Sequence, residues 1–299
     1  MATGALPADE ERILLVGGGD LSGRVAQRLA FQCPAATLWA LRRNPPSSAT
    51  PAAPATPAAP ATPATPVRWL AADVTEPASL RALPDGITRV VVALTPGPRD
   101  EAAYRAVFID GLRNVVQALD RGALRRLVFV SSSAVYGEHG GDWVDERTPT
   151  APLGMNGAIL LQAEQWLLAQ DLPGTCLRLS GLYGPGRLQL LGRLRTGRAR
   201  VPRDIPHWAN RMHADDAASA IAHLLMLPHA DPVYIGSDDT PLPIDVLYDD
   251  LAARLGCAPP AHGPAPEGVG SKRLCNRRLR ATGLALAWPD ARQGYAALM

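Results

Sequence analysis

Short apolar runs bounded by turn-forming residues alternate along this chain with longer stretches in which apolar positions recur every three or four residues. Runs too short for a helix, separated by segments of helical period, are the pattern of a parallel sheet wrapped by helices. The pattern predicts strands over 12–16, 36–41, 67–71, 89–94, 126–130, 175–179 and 233–236, with helices beginning near Asp20, Glu76, Asp100, Gly157, Ala214 and Pro243. In the first helix Leu21, Val25 and Leu29 recur at i, i+4 and i+8, which lays one apolar stripe against the sheet. The expected class is therefore α/β, a doubly wound parallel sheet. Between the sixth strand and Ala214, and again after Gly256, the alternation breaks into Gly-, Pro- and Arg-rich sequence, which predicts a small C-terminal substrate lobe. Residues 1–180 are expected to form the nucleotide-binding domain, and 181–299 the last strand and helices of the sheet plus that lobe, whose core Trp288 and Tyr295 help to close.

The segment Asn44–Pro66 breaks the pattern differently, being built almost wholly of Ala, Thr, Pro and Ser. It has too few large apolar side chains to offset the entropy of ordering, so it reads as a disordered insertion without function of its own, with a partner-binding arm as the alternative. Loop closure costs grow only with the logarithm of length. Replacing 44–66 by a short Gly-Ser turn is thus expected to leave thermal stability and ligand affinity nearly unchanged, which melts and titrations of the two forms would check.

Composition narrows the function classes. A net charge of +2 on 299 residues, without a basic stripe interleaved with aromatics, gives no reason to expect nucleic acid or an anionic membrane as partner. No run approaches the roughly 20 apolar residues of a membrane span, and the first residues lack a signal-peptide pattern, so the expected location is the cytoplasm. Four cysteines lie far apart without metal-ligand spacing and are expected to be reduced, mostly buried thiols; no metal is assigned.

Chemistry enters at the first strand–helix junction, I-L-L-V-G-G-G-D-L-S-G-R-V. Gly17 and Gly19 occupy the first two positions of G-x-G-x-x-G, where absent side chains allow a tight turn. A pyrophosphate can then reach the backbone N–H groups that open the helix at Asp20, Leu21 and Ser22. Ser22 stands at the third glycine position, with neighbouring Gly23 as the expected compensation. At this place in an alternating chain, the turn predicts a Rossmann-type dinucleotide site. An acid at the end of the second strand would bind a free ribose 2′-hydroxyl, but the strand ends W-A-L-R-R-N. Arg42 and Arg43 instead suit a 2′-phosphate, so NADP is expected, with NAD less favoured. Asp73 and Val74, after the third strand, would lie by the adenine.

The glycine turn, A-D-V-T after strand three, L-V-F-V-S-S-S-A-V-Y-G at strand five, V-D-E-R-T-P, C-L-R-L-S-G-L-Y-G-P-G-R at strand six and N-R-M-H-A-D-D-A-A together resemble the extended and atypical short-chain dehydrogenase/reductase superfamily, in particular its NAD-dependent epimerase/dehydratase family. The C-terminal S-K-R-L-C-N-R-R-L-R-A-T-G-L is closest to an atypical, epimerase-like subgroup. The resemblance covers nearly the whole chain from Arg12, apart from the insertion. It implies further cofactor contacts at Leu94, Thr95, Ser131 and Leu182. It also implies a Ser, a Tyr and a Lys acting together: Lys lowers the Tyr pKa, Tyr moves the proton, and Ser holds the substrate oxygen. Spacing from V-Y-G places the serine at Ser132, with Ser131 and Ser133 as alternatives and a plain strand-end cap as the structural reading.

The Tyr-x-x-x-Lys pair is where the chain departs from the family. Anchoring on A-E-Q at 163–165 puts Asn156 at the Tyr position and Leu160 at the Lys position. An amide hydrogen-bonds but has no proton to trade near neutral pH, and leucine shifts no pKa. Tyr136 and Tyr183 are candidate substitute acids or packing residues, with Tyr104 and Glu146 behind them. Ser133, Tyr183, Arg187 and Arg211 are candidate substrate contacts, and Arg187, Arg211 and His213 alternatively form internal ion pairs with Asp215 and Asp216. The expected function is an NADP(H)-binding oxidoreductase or epimerase/dehydratase-like enzyme acting on a small polar metabolite with a degraded Tyr-x-x-x-Lys site. The alternative is a non-catalytic NADP(H)-binding sensor or scaffold; in either case a monomer or homodimer is expected.

Overall fold

The structure, a computed structural model, describes residues 11–46 and 67–299, so the Pro-rich insertion after residue 46 lies outside the described residues. A sheet of seven strands runs in the order β12-β7-β5-β4-β1-β2-β3. Its first half is β1 (Arg12–Val16), α1 (Asp20–Gln32), β2 (Thr37–Arg42), β3 (Arg68–Ala71), a 3-10 helix (Pro77–Ala82), β4 (Arg89–Val92), α2 (Glu101–Arg105), a π turn (Ala106–Asp110), α3 (Gly111–Ala118) and β5 (Arg126–Ser132). Pairing is parallel from β1 to β2 and β4, from β2 to β3, and from β4 to β5. Ile13 to Val16 are fully buried, which is why β1 reads as an unbroken apolar run rather than an alternating one. In α1, Val25 and Leu29 are buried while Leu21 at the helix start is half-buried.

The chain continues through β6 (Trp143–Val144), α4 (Met155–Leu168), β7 (Gly174–Leu179), β8 (Gly181–Tyr183), α5 (Gln189–Arg195), β9 (Arg200–Val201), β10 (Trp208–Ala209), β11 (Arg211–His213), α6 (Ala214–Met226), β12 (Val233–Gly236), β13 (Leu242–Pro243) and α7 (Ile244–Arg254). It closes with β14 (Ala261–His262), β15 (Arg273–Leu274), α8 (Arg277–Ala281) and α9 (Ala291–Ala296). All seven expected strands form, each within about two residues of its predicted bounds. The helix expected near Glu76 is a 3-10 helix, and the one expected from Gly157 starts two residues earlier.

Two compact units share the chain. Unit 1 holds the described residues up to Val130 with 166–175 and 221–230; unit 2 holds 131–165, 176–220 and 231–299. In unit 2, Ile159 and Ala163 carry the apolar face of α4, and Glu164 on the same helix is almost fully buried. Its carboxylate accepts a two-pronged contact from Arg178, with Nε at 3.1 Å and Nη2 at 2.6 Å, and Arg178 Nη1 donates to the Tyr136 hydroxyl at 2.7 Å. A buried fork of this geometry satisfies both charges.

A separate core in unit 2 gathers Tyr183, Leu191, Leu194, Leu247, Leu251 and Tyr295. Tyr183 and Tyr295 stack with ring centroids 4.2 Å apart. Gly294 permits this, since a Cβ there would lie 2.0 Å from the Tyr183 hydroxyl. Tyr295 thus closes the lobe as expected, while Trp288 is half-buried with its ring 5.4 Å from His213. Two buried carboxylates pin the segment between them: Asp216 accepts from the backbone N–H of Ala287 and Trp288, and Asp238 from that of Ala291 at 3.1 Å.

Burial pushes Asp238 up to about 8, with nearby Asp290 adding to the rise and the backbone donors opposing it. An acid raised in the folded state binds more protons than the same acid unfolded, so stability is greatest below about pH 4 for this group and is lost as pH rises toward 8. Asp238→Asn is therefore expected to flatten the dependence of Tm on pH between 5 and 8, and melts of both forms across that range check it.

Candidate functional site

The strand order reverses between β1 and β4, and ligands of doubly wound sheets sit at the carboxyl ends of strands beside such a switch. Here unit 1 carries a cleft of about 420 Å³ lined by Gly17–Gly19, the end of β2 from Leu41 to Asn44, Ala72–Thr75, Ala93–Thr95, Gly97, Pro98 and three residues of the following helix. The expected Gly17, Gly19, Arg42, Arg43, Asp73, Val74, Leu94 and Thr95 all line it. Gly17 has φ of +101°, and a Cβ there would lie 2.2 Å from the Ala93 carbonyl oxygen, so only glycine lets the turn approach β4. The N–H groups of Gly17 and Gly18 both donate to the Leu41 carbonyl, which aligns the turn with the end of β2. Gly19 faces open space, leaving the start of α1 accessible.

At the third glycine position the chain solves the packing differently from the expectation. Ser22 is buried and its hydroxyl donates to the Gly17 carbonyl, stitching helix to turn. A Cβ on Gly23 would meet nothing within 4 Å, so Gly23 is not the compensating residue. Asp20, Leu21 and Ser22 do not line the cleft; Asp20 pairs with Arg24 at 3.1 Å.

Arg42 and Arg43 are exposed at the cleft rim. The Arg42 Cδ and the Trp69 ring pack where a Cβ on Gly18 would stand, at 3.2 and 2.6 Å, so the Arg42 stem runs along the turn. Arg43 Nη2 reaches to 4.0 Å of the same construction at Gly97, on the loop after β4. Asp73 is held by its own turn, its Oδ1 accepting from the Thr75 N–H at 2.9 Å and hydroxyl at 2.8 Å. These features suit a dinucleotide: a glycine cradle at the opening of a helix, with two cations at the rim of the cleft. Asn44, counted above with the insertion, belongs to the cleft wall, so an excision that spares the site is 47–66.

The remaining expected residues, Tyr104 apart, lie in unit 2. Ser132 ends β5 and its hydroxyl accepts from the Ala134 N–H at 3.2 Å, so the strand-end cap is realised at that position. Ser131 is buried and its hydroxyl has no hydrogen-bond partner among the described residues; Ser133 opens a short 3-10 turn. The start of α4 abuts this turn, because a Cβ on Gly157 would lie 2.2 Å from the Ala134 carbonyl oxygen. The fold thus brings the serine turn and Asn156 onto adjoining segments. Asn156 is exposed, and Leu160 one turn later is buried at 6%.

Both tyrosines proposed as substitute acids are packing residues. Tyr136 is buried, donating to the Asp145 carbonyl at 2.9 Å and accepting from Arg178, and burial pushes its phenol up to about 12. Tyr183 is fully buried between Tyr295 and His213, and burial with neighbouring carboxylates raises it further from any working range. Glu146 is committed too, accepting from the Ile235 N–H at 3.0 Å beside Arg278. The parallel pair β8–β11 sets Leu182 opposite Met212 and Tyr183 opposite His213, with Arg211 opposite Gly181. Arg211 Nη1 donates to the Asn210 carbonyl and lies near Tyr295 and Asp238, whereas His213 Nδ1 accepts from the Asp215 N–H. Arg187 is half-buried. Of the four free cysteines only Cys176 is fully buried; the other three are half-buried, fewer than the composition suggested.

Among the described residues no helix is long and apolar enough to cross a membrane. A family model for the NAD-dependent epimerase/dehydratase family matches residues 13–235. The Escherichia coli (strain K12) protein YeeZ is 31% identical over 227 residues, spanning 73% of this chain and 77% of its own. A Methylobacillus flagellatus protein provisionally named an NAD-dependent epimerase/dehydratase superposes with a TM-score of 0.75 at 38% identity, covering 96% of this chain and 97% of that one. The Thermus thermophilus UDP-glucose 4-epimerase in complex with NAD shares the fold, with a TM-score of 0.74 at 20% identity over 96% of this chain and 98% of the enzyme.

Proposed function

Because this chain belongs to the NAD-dependent epimerase/dehydratase family, we propose that it is an NADP(H)-dependent oxidoreductase or epimerase/dehydratase-like enzyme acting on a small polar metabolite. The observation that carries the cofactor reading is the rim of the unit 1 cleft, where Arg42 and Arg43 stand at the end of β2 and no acid there competes for a ribose 2′-hydroxyl. Gly17–Gly19, at the opening of α1, would hold the pyrophosphate of a bound cofactor, whose nicotinamide would supply hydride exchange. Ser132 orients the substrate oxygen, Asn156 adds an uncharged hydrogen-bonding group, and Arg187 and Arg211 are the cations offered to an anionic substrate. Tyr136 is left out of this assignment, since its hydroxyl is spent on Asp145 and Arg178.

One observation favours a second reading. The Tyr and Lys positions hold Asn156 and the buried Leu160, so the chain can bind NADP(H) as a sensor or scaffold without turning it over. Fluorescence titration with NADPH and NADH, followed by turnover assays on carbonyls and sugar nucleotides, separates the two. Binding with turnover supports the enzyme, binding without turnover the sensor, and no binding of either cofactor overturns both.

A further inference from the structure

Among the 30 Lys and Arg residues of this chain a single one is lysine, Lys272, and all the rest are arginine. That lysine is not at the surface. Lys272 is 4% exposed, and its ammonium makes no ion pair among the described residues. It donates instead to two backbone carbonyls, that of Gly270 at 3.1 Å and that of Gly137 at 3.4 Å. Burial lowers its pKa, opposed by the nearby carboxylate of Glu138. Glu138 is itself spent on the backbone, accepting from the N–H groups of Ser271 and Gly140 at 2.7 Å each. An ammonium taken out of water without a carboxylate against it costs stability, so the fold gains nothing from the charge alone. What counts is what the amine holds.

On one side it holds the exit of the serine turn. Gly270 seats so closely on Gly137 that a Cβ would lie 2.3 Å from the Gly137 carbonyl oxygen, and a Cβ on Gly137 would lie 2.0 Å from that of Ala151, just ahead of α4 and Asn156. Two carbonyls that converge on one nitrogen suit a compact ammonium better than the flat fork of a guanidinium. The His139 N–H adds a second tie, donating to the Ser271 carbonyl at 3.1 Å. On the other side the backbone of the same residue is gripped by Asn210, whose Nδ2 donates to the Lys272 carbonyl at 2.9 Å and whose Oδ1 accepts from the Leu274 N–H at 2.8 Å. Asn210 leads directly into β11 and Arg211. Lys272 therefore joins, through its amine and its own carbonyl, the turn of Ser132 to the strand of Arg211, all within unit 2.

We propose that Lys272 is a positioning residue of the substrate site: it sets the turn of Ser132 against the strand of Arg211, and so fixes the spacing between the group that orients the substrate oxygen and a cation offered to the substrate. This rests on the roles given to Ser132 and Arg211 above. The test compares the full chain with Lys272→Met, which keeps the stem and removes the ammonium, and with Arg277→Met, which removes an exposed cation at the start of α8. Backbone hydrogen exchange is read over 132–139 and 208–213. Lys272→Met is expected to speed it roughly tenfold or more in both segments, and to leave exchange over 13–19 and NADPH affinity unmoved. Its Tm is expected to hold or rise, because an unpaired buried charge has gone. In turnover assays on carbonyls and sugar nucleotides, KM for the substrate rises while that for NADPH holds, a split that general loss of stability does not give. Arg277→Met should change none of these. If Lys272→Met melts early, Asn210→Ser cuts the bridge on its other side and is expected to loosen the same two segments. Exchange unchanged in a folded variant, or faster in one segment only, overturns the inference and leaves the proposed function standing, as does an unmoved substrate KM. An unmodified chain that turns over none of these substrates overturns the enzyme reading and this inference together.

Discussion

Arg42→Ala combined with Arg43→Ala is expected to weaken NADPH binding by roughly 10²-fold or more while leaving NADH within a few-fold, so that preference between the two cofactors disappears. A hydrogen bond to a charged group contributes about 1.5–3 kcal/mol, and two guanidinium groups on one phosphate dianion lose at least two such bonds on truncation. NADH has no 2′-phosphate and loses only general attraction, which salt screens. The geometry strengthens the case for Arg42, because its stem is packed against Gly18 and Trp69, so less rotamer freedom remains to be lost on binding. Titration of both cofactors at fixed ionic strength reads the result. Equal affinities in the unmodified chain, or NADPH affinity indifferent to the double change, would sink the NADP assignment.

The strands and the glycine turn were legible because each rests on a local signal. β1 is a continuous apolar run, and Gly17 and Gly19 end it where the fold reverses. The place of the Arg pair was legible for the same reason, since the last residues of the second strand line the cleft. What the sequence hid depends on contacts between distant residues. The cleft wall at Ala103, Ala106 and Val107 comes from a helix interrupted by a π turn, which no periodicity announces. Ser22 reads as a departure from the glycine pattern, yet its hydroxyl closes the turn that a glycine would have left open. Tyr136 and Glu146 looked like chemistry because they sit in family motifs beside the serine turn. Their polar atoms are instead satisfied by Arg178, Asp145 and the backbone of Ile235, which only the folded chain brings near.

The largest functional gain is expected from Asn156→Tyr combined with Leu160→Lys. A positioned general acid or base contributes roughly 10²- to 10⁴-fold, and the chain lacks the pair that its family uses to supply one. Gly157 seats the start of α4 on the serine turn through Ala134, which places position 156 on a segment adjoining that of Ser132. A lysine at 160 enters a largely buried position, where its stem lies along apolar surface and desolvation lowers its pKa. Its charge still lowers the phenol's pKa one turn away, which neither change achieves alone, so the two should act more than additively. NADPH-dependent turnover of a panel of simple carbonyls, with each single variant beside the double, reads this out. A gain of roughly 10²-fold or more confined to the double variant supports a degraded site on a competent pocket. No gain from a folded double variant that still binds NADPH favours the sensor reading. Rapid turnover by the unmodified chain, with a pH profile indifferent to Tyr104→Phe, Tyr136→Phe and Tyr183→Phe, would show that the proton comes from elsewhere and that nothing in this site had decayed.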